Sequence, residues 1–302
     1  MIVISLIGEQ PIPNLLPLLH FRPTGAVLVY TERTAPAAKR LTGLLPSGCE
    51  AIALPVQPYE IQESCQALCD LIKDNSWPAE ELLFNLTGGT KAMALAAYLA
   101  AHRHLAPFVY LQSEGKQTRL FRYEFGSDSE PHLTQDHLLP GLIAICDYLR
   151  AHLDEYQVTG FCEGEEGLPF EKAVCAALDP PITDKVVAGV KSLGAIDIDL
   201  VVRCGNQVGI IEAKTGKKGR SKAPIDQLNT AGGREYLGTY TAKFLVVDQA
   251  WDKRQSSLKA LAEARQIKVI ELPSFSQTGA LSAEDTAKLQ QTVCKALGKR
   301  IA

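Results

Sequence analysis

In the second half of the chain, two acidic residues and one lysine lie on two segments that are predicted to be neighbouring strands. Asp199 belongs to an apolar stretch over residues 196–203, and Glu212 and Lys214 end the next apolar stretch over residues 208–214. Asp199 and Glu212 are 13 positions apart, so a hairpin between them would bring both carboxylates to one end of the strand pair. Carboxylate oxygens of this kind suit Mg²⁺ or Mn²⁺.

Such a group could hydrolyse a phosphodiester. A bound divalent ion polarises a phosphate and lowers the pKa of a bound water, and the main-chain carbonyl of Ala213 could serve as a further ligand. Lys214 follows Glu212 by two residues and therefore points to the same strand face, where it could orient the water or offset charge on the phosphate. The alternative is a surface ion pair on an edge strand. The apolar flanking residues disfavour it, because unpaired charges are costly in such surroundings.

Two features beside this group allow more than one interpretation. Asp197 alternates with Asp199 and faces the same side, either as an auxiliary ligand or as a solvated strand end. Residues 214–222 carry five cationic side chains, which suit phosphate contacts without sequence readout, although a solvated loop remains possible. Three aromatic residues could stack bases or simply pack in the core: Trp77, Trp251 and Tyr236.

A second polar group lies in the first half, over residues 84–93, between a buried strand and a helical pattern. Open α/β sheets bind ligands outside the carboxyl ends of their strands, which is this kind of junction. Glycines let the backbone approach a ligand, and the N–H groups that begin the next helix suit phosphate. Thr87 and Thr90 supply hydroxyls, Asn85 an amide and Lys91 a charge. We interpret the segment as a binding loop, although it is not a Walker A loop, and a plain helix cap is the alternative.

Further polar residues follow neighbouring strands. The segment Gly8-Glu-Gln-Pro-Ile-Pro-Asn14 comes directly after the first strand. Its Gln10 and Asn14 could read a base or a ribose, or its two prolines could merely shape a turn, and both interpretations stay open. Thr31 follows the second strand, and Gln112 follows the strand after the alanine-rich helix, so both are expected at the same sheet edge.

The elements that must position these residues alternate between strand and helix over residues 1–125. This alternation predicts a mostly parallel sheet with helices on both faces, including an alanine-rich helix over Lys91–His104. Residues 126–136 are polar and rich in turn formers, so we place the end of the first domain at residue 136.

The second half has a different element order. Apolar spacing predicts an amphipathic helix over residues 138–156, which we assign to a helical linker spanning residues 137–160. Residues 161–302 then form the second domain, with a helix over Leu168–Leu178, a hairpin that carries the acidic pair, and further alternating helices and strands. The fold class is therefore α/β in both domains.

Composition restricts the environment and the partners. The 302 residues are 46% hydrophobic and 22% charged, with a net charge of −3, so contact with polyanions must depend on local basic patches. No apolar run approaches the roughly 18 residues of a membrane span, and the first residues predict a strand rather than a signal peptide. Eight scattered cysteines lack paired spacing, which favours reduced thiols in a cytoplasmic protein over zinc ligands.

The segments over residues 8–14 and 85–93 resemble the sensor domain called CARF, the CRISPR-associated Rossmann fold. With the second half included, the chain resembles the CARF nucleases of type III CRISPR immunity. This resemblance implies a homodimer that binds a cyclic oligoadenylate, most commonly cyclic tetra-adenylate, across its two-fold axis. It implies that the ligand pocket is lined by Gln10, Pro13, Asn85, Thr87, Gly88, Gly89, Thr90 and Lys91.

The acid–acid–lysine pattern resembles the PD-(D/E)xK core, which implies a restriction-endonuclease-like fold. That family usually adds an acid on the preceding helix, for which Glu171 is the candidate ahead of Glu165 and Glu166, and a glutamine on the following helix, which Gln227 fits. The implied catalytic residues are Glu171, Asp199, Glu212, Lys214 and Gln227. The implied metal ligands are Asp199, Glu212, Ala213 and Glu171.

Taken together, the two resemblances imply a cytoplasmic endonuclease that depends on Mg²⁺ or Mn²⁺ and is activated by a cyclic oligoadenylate. Its expected substrates are single-stranded DNA, single-stranded RNA or plasmid DNA, and no membrane partner is expected. One alternative is a sensor or adaptor whose nuclease domain is inactive. Another is a ring nuclease that degrades the signalling molecule in the sensor pocket.

Overall fold

The structure, a computed structural model, describes residues 1–114, 117–164, 166–192 and 196–299. The chain divides into two compact units, Met1–Ile143 and Ala144–Ala302, each built around its own sheet. This confirms the α/β class. Within the described part of the chain, no helix is both long and apolar enough to cross a membrane.

The N-terminal unit is a seven-stranded sheet with four helices. Its elements are β1 (Ile2–Leu6), α1 (Ile12–Phe21), β2 (Gly25–Tyr30), α2 (Ala35–Thr42), β3 (Glu50–Pro55), α3 (Ile61–Asp74), β4 (Leu82–Asn85), α4 (Lys91–His104), β5 (Phe108–Glu114), β6 (Gln117–Phe125) and β7 (Pro131–Leu138). The strand order is β3-β2-β1-β4-β5-β6-β7, parallel from β3 to β5 and antiparallel beyond. The mostly parallel sheet was predicted correctly.

Both faces of the central parallel strands β1, β2 and β4 are buried, as helix-covered sheets require, whereas the edge strand β3 is mostly exposed. Ile4 and Leu6 of β1 point into a cluster formed with α3 and α4, where Leu68 and Met93 contribute. The alternate residues of β1 are buried as well, Val3 among them. The carboxyl ends of β1, β2, β3 and β4 therefore meet at one edge, which positions the loops that follow them.

The predicted end of the first domain at residue 136 differs from the structure. Residues 131–138 form β7, which pairs with β6 and is mostly exposed, so the apolar alternation that marks a strand is missing. The unit boundary follows at Ile143. The helix predicted over residues 138–156 is present but shorter: α5 (Ile145–His152) belongs to the C-terminal unit, where the Tyr148 hydroxyl contacts the Thr241 hydroxyl at 2.7 Å.

The C-terminal unit is a six-stranded mixed sheet. After α5 its elements are β8 (Gln157–Val158), α6 (Leu168–Leu178), β9 (Lys185–Ser192), β10 (Ile196–Cys204), β11 (Gln207–Lys214), α7 (Ala223–Ala231), β12 (Ala242–Val247), α8 (Ser256–Ala264), β13 (Ile267–Glu271), α9 (Ser274–Thr278) and α10 (Ala283–Ala296). The strand order is β13-β12-β11-β10-β9-β8, with β11 to β13 parallel and β8 to β11 antiparallel.

The predicted hairpin is the pair β10–β11. Leu200 lies opposite Ile211 in its register, so Asp199 and Glu212 occupy the next positions along the two strands. On the face that carries Ile211 and Ala213, α6 and α10 pack through residues such as Phe170. Strand alternation turns Glu212 to the opposite face.

Candidate functional sites

The two acidic residues of the hairpin share one ammonium group. Lys214 Nζ lies 2.7 Å from Asp199 Oδ2 and 2.7 Å from Glu212 Oε2. Asp199 Oδ2 also accepts a hydrogen bond from the main-chain N–H of Ala213 at 2.8 Å. Both carboxylates therefore lie on one side of the sheet and close together, as the hairpin prediction requires.

Burial dominates the electrostatics of this acid pair. The Glu212 side chain is 1% exposed, and neither of its carboxylate oxygens has a hydrogen-bond donor, because the contact with Lys214 is an ion pair without hydrogen-bond geometry. Burial, and then the neighbouring charge of Asp199, raise the pKa of Glu212 well above its usual value, while Lys214 opposes them. Burial lowers the pKa of Lys214, but the two carboxylates more than offset this, so its pKa is raised.

A divalent cation fits this donor set. Asp199, Glu212 and the carbonyl of Ala213 offer hard oxygen ligands, and a cation would satisfy the Glu212 oxygens that lack hydrogen bonds. Counting only residues 1–114, 117–164, 166–192 and 196–299, no group of three or more His, Cys, Asp or Glu side chains is arranged to hold a metal. The structure thus brings together two of the three predicted acids.

Glu171 is the acid that the structure does not bring into this group. It lies in the first turn of α6 and is 9% exposed. The helix α6 packs on the sheet face that carries Ile211 and Ala213, whereas Glu212 points to the other face. The Glu171 carboxylate lies instead near Gly167, at the start of its own helix. Glu165 lies outside the described residues.

Gln227 and Asp197 meet at the start of β10. The Gln227 amide, on α7, donates a hydrogen bond to the main-chain carbonyl of Asp197, two residues from Asp199. The Asp197 carboxylate pairs with Lys191 at 2.9 Å and is 57% exposed. Of the two interpretations of Asp197, the solvated strand end is the one that the structure supports.

The basic segment after β11 is held more firmly than a flexible loop. The Trp251 indole N–H donates to the carbonyl of Gly219 at 3.1 Å, and the main-chain N–H of Gly216 donates to Asp248 Oδ1 at 2.9 Å. Trp251 is 5% exposed, so it packs this segment rather than offering a stacking surface. Lys217 and Lys218 of this segment are exposed.

In the N-terminal unit, Asn85 connects the loops that follow β1 and β4. Its buried amide donates to the carbonyl of Pro13 and to Asn14 Oδ1, both at 3.2 Å. Its oxygen accepts from the Thr87 hydroxyl at 2.7 Å, and Thr87 Oγ accepts from the main-chain N–H of Leu111 at 2.9 Å. Asn85 and Asn14 are fully buried, so they position the loops, and Asn14 has no open face with which to read a base.

Thr90 and Lys91 begin α4. The Thr90 hydroxyl caps the helix by accepting from the main-chain N–H of Met93 at 3.1 Å, and it donates to the carbonyl of Pro58 at 2.7 Å. Lys91 is exposed in the first turn. The arrangement leaves a cation and a helix N-terminus together at the sheet edge, which suits a phosphate.

The remaining predicted ligand residues differ in how open they are. Thr31 is buried, and its hydroxyl contacts the Thr34 hydroxyl at 3.3 Å where a short helical turn begins. Gln112 is exposed, but it lies within β5 rather than after it. Gln10 and Pro13 are half-buried at the same edge.

Glycines let the two loops pack as one surface. A Cβ atom added to Gly8 would lie 3.1 Å from the main-chain nitrogen of Gly89, whose φ of +72° also favours glycine. A Cβ atom on Gly88 would lie 2.0 Å from the carbonyl oxygen of Leu6. Only glycine fits at Gly88 without a shift of the backbone.

We expect Gly88→Ala to destabilise the protein by about 1–3 kcal/mol, the usual cost of overpacking, and to displace the loop before α4. Chemical denaturation of the full chain measures the loss. Gly43→Ala is the matched control, because a Cβ there would meet its nearest neighbour, the carbonyl of Arg40, at an ordinary 3.5 Å. Equal stability of the two variants would contradict the close packing of Gly88.

Fold and sites together define a two-unit α/β protein, with a ligand-type loop at the sheet edge of one unit and a buried acid–acid–lysine centre in the other. Residues 2–134 match the family described as the Card1 CARF domain. The matched residues lie within the N-terminal unit. No curated protein matches the chain.

Solved structures share the fold over most of the chain. Can2 from Sulfobacillus thermosulfidooxidans, in complex with cyclic tetra-adenylate, has a TM-score of 0.70 at 15% identity, covering 98% of this chain and 99% of its own. Protein VC1899 from Vibrio cholerae has a TM-score of 0.72 at 15% identity, covering 99% of both chains. A type III CRISPR defence DNA nuclease activated by cyclic oligoadenylate has a TM-score of 0.59 at 18% identity, covering 83% of this chain and 46% of its own.

Proposed function

We propose that this protein is a metal-dependent endonuclease of type III CRISPR defence, activated by a cyclic oligoadenylate. The observation that carries the proposal is the pair Asp199 and Glu212, each 2.7 Å from the same Lys214 ammonium, in a chain whose other unit matches the Card1 CARF family. Its fold is similar to those of Can2 bound to cyclic tetra-adenylate and of a DNA nuclease activated by cyclic oligoadenylate.

The proposed sensor site is the sheet edge where the loops after β1 and β4 meet. Lys91 and the first N–H groups of α4 would bind phosphates of the ligand, with Gln10 and Gln112 at its border. Asn85 would act indirectly by holding these loops in place. Cyclic tetra-adenylate is the activator we favour, since Can2 carries it in its complex.

We further propose a homodimer formed through α4. Leu95 and Leu99 lie one turn apart on this helix and are 54% and 39% exposed. Neighbouring exposed apolar side chains of this kind are typical of an interaction surface. A second copy on this face would bring the two ligand loops toward one ring-shaped molecule. Light scattering on the full chain tests this: a monomeric mass with ligand present would refute it.

The proposed nuclease centre has a PD-(D/E)xK arrangement in a restriction-endonuclease-like unit. Mg²⁺ or Mn²⁺ held by Asp199, Glu212 and the carbonyl of Ala213 would polarise the phosphate and acidify a bound water. Lys214 lies within 2.7 Å of both carboxylates, so its ammonium is placed to donate to a phosphate oxygen at the same point. Gln227 keeps the start of β10 in place through the Asp197 carbonyl.

Activation requires that the ligand bind the active arrangement of the protein more tightly than the resting one. Single-stranded DNA, single-stranded RNA and plasmid DNA are the proposed substrates. The exposed cations Lys217 and Lys218 would contact their phosphates without reading sequence.

A second candidate function is a sensor whose nuclease unit is inactive. The observation that favours it is the missing third acid: no group of three metal-type side chains forms in the part of the chain that the structure describes. Glu171 would then be a structural acid at the start of α6.

The test is a cleavage assay on the three substrates with Mg²⁺ or Mn²⁺, across a panel of cyclic oligoadenylates. We expect cleavage only with ligand, and Lys91→Ala should raise the ligand concentration for half-activation about 10–100-fold, the effect of losing one charge-assisted hydrogen bond. Lys73→Ala, an exposed lysine near the end of α3, should match the wild type. Ligand binding without cleavage under any condition would favour the inactive sensor, and no ligand binding would refute both functions.

A further inference from the structure

A cavity of about 660 Å³ opens at the carboxyl ends of β2 and β3, beside the proposed sensor site. The two strands meet there through a hydrogen bond from the main-chain N–H of Val56 to the carbonyl of Tyr30, at 2.8 Å. We call this cavity the β2–β3 pocket, and its walls include Tyr30, Arg33, Gln57, Pro58, Glu63 and Ala67.

The β2–β3 pocket is tied directly to the loops of the sensor site. Its wall residue Pro58 accepts the hydrogen bond from Thr90 at 2.7 Å, so the pocket and the start of α4 share a boundary. Arg33, at the pocket rim, forms a 2.7 Å ion pair with Glu9 of the loop after β1. Since β2 and β4 are two strands apart, about 10 Å separates the pocket from the phosphate-type loop. One nucleotide spans a comparable length between its phosphate and its base edge.

The charges that line the pocket disfavour a phosphate and suit a base. Its charged lining consists of two acids, Glu32 and Glu63, against the single cation Arg33, which already faces Glu9. Carboxylates repel a phosphate but accept hydrogen bonds from an exocyclic amine. The ring of Tyr30 offers a stacking surface, and the amide of Gln57 can pair with a purine edge.

We propose that the β2–β3 pocket receives an adenine of the bound cyclic oligoadenylate and selects it through Glu63, which accepts a hydrogen bond from the exocyclic amine. The inference rests on the proposed function, because it assigns a base-specific pocket to the same ligand. Glu63 is exposed in the first turn of α3, so its side chain is free to move onto a base edge.

The experiment compares two ligands on the full chain by calorimetric titration: cyclic tetra-adenylate and cyclic tetra-inosinate, in which a carbonyl replaces each amine. The wild type should bind the adenylate at least tenfold more tightly, since the carboxylate meets a repelling carbonyl oxygen in place of the amine that donates to it. Glu63→Gln should reduce this preference to about twofold or less, because an amide can donate to the carbonyl of the inosinate. Glu80→Gln is the matched control, as an exposed acid just before β4, at the opposite edge of the sheet.

A second variant tests occupancy of the pocket independently of hydrogen bonding. Ala67→Phe places a ring in the pocket and should weaken cyclic tetra-adenylate binding more than tenfold while the melting temperature stays near that of the wild type. Wild-type affinity in Ala67→Phe, or unchanged preference in Glu63→Gln, overturns the pocket assignment and leaves the proposed function intact. If the wild type binds neither ligand, the proposed function itself fails, and the assignment with it.

Discussion

Glu212→Ala is expected to reduce ligand-activated cleavage at least about 10³-fold, because the variant loses the most buried carboxylate of the proposed metal site. The sensor site belongs to the other unit, so the affinity for cyclic oligoadenylate should not change. Initial rates at saturating ligand with Mn²⁺, together with calorimetric titration of the ligand, measure the two effects separately.

Asp197→Asn provides the matched control for this prediction. Asp197 is an acid near the same end of β10, but it is 57% exposed and pairs with Lys191, away from the Lys214 ammonium. Its variant should keep cleavage within about twofold of the wild type, as expected for an exposed surface ion pair. Equal losses in the Asp197 and Glu212 variants would mean that general destabilisation, rather than metal binding, explains the effect.

Lys214→Met is expected to destabilise the protein by about 3–5 kcal/mol, the usual cost of removing one partner from a buried ion pair. The variant leaves the Asp199 and Glu212 carboxylates together in a buried site with no compensating charge. If the site binds a divalent ion, Mn²⁺ should restore part of the lost stability, since it supplies the missing positive charge. Chemical denaturation with and without Mn²⁺ measures both changes.

Two further variants complete the Lys214 experiment. Lys218→Met removes an exposed lysine four residues away and should leave stability unchanged within about 0.5 kcal/mol. Combining Lys214→Met with Glu212→Leu removes the repulsion between the carboxylates and should regain much of the loss. A Lys214→Met variant as stable as the wild type, and indifferent to Mn²⁺, would show that the ion pair contributes nothing and that the acids do not bind a cation.

Much of the fold could be predicted because its regular elements leave local signals. The helices α4 (Lys91–His104) and α6 (Leu168–Leu178) have the predicted bounds. In α4, Thr90 provides the cap and Pro107 follows shortly after the end. By contrast, the sequence predicts a turn region where the first residues of β7 lie. This exposed edge strand has no apolar alternation, because it forms through its pairing with β6.

The spacing of the acid pair could also be predicted, but its third member could not. A tight turn between Cys204 and Gln207 sets the register of β10 and β11, so the sequence separation of Asp199 and Glu212 already places them side by side. The position of Glu171 depends on which sheet face α6 covers and on how the helix is rotated there. Neither property leaves a signal in the sequence around Glu171.

At the sheet edge of the proposed sensor site, some features were likewise set by local sequence and others by the tertiary structure. The residues themselves determined that a glycine-rich loop would precede a helix capped by Thr90, because capping and turn preferences act within a few residues. Only the tertiary structure decided that Asn14 and Asn85 would be buried against each other, that Thr31 would close a turn, and that a pocket would open beyond it. Such contacts join residues that are distant in the chain, and their geometry is set by how the sheet, its helices and their loops pack together.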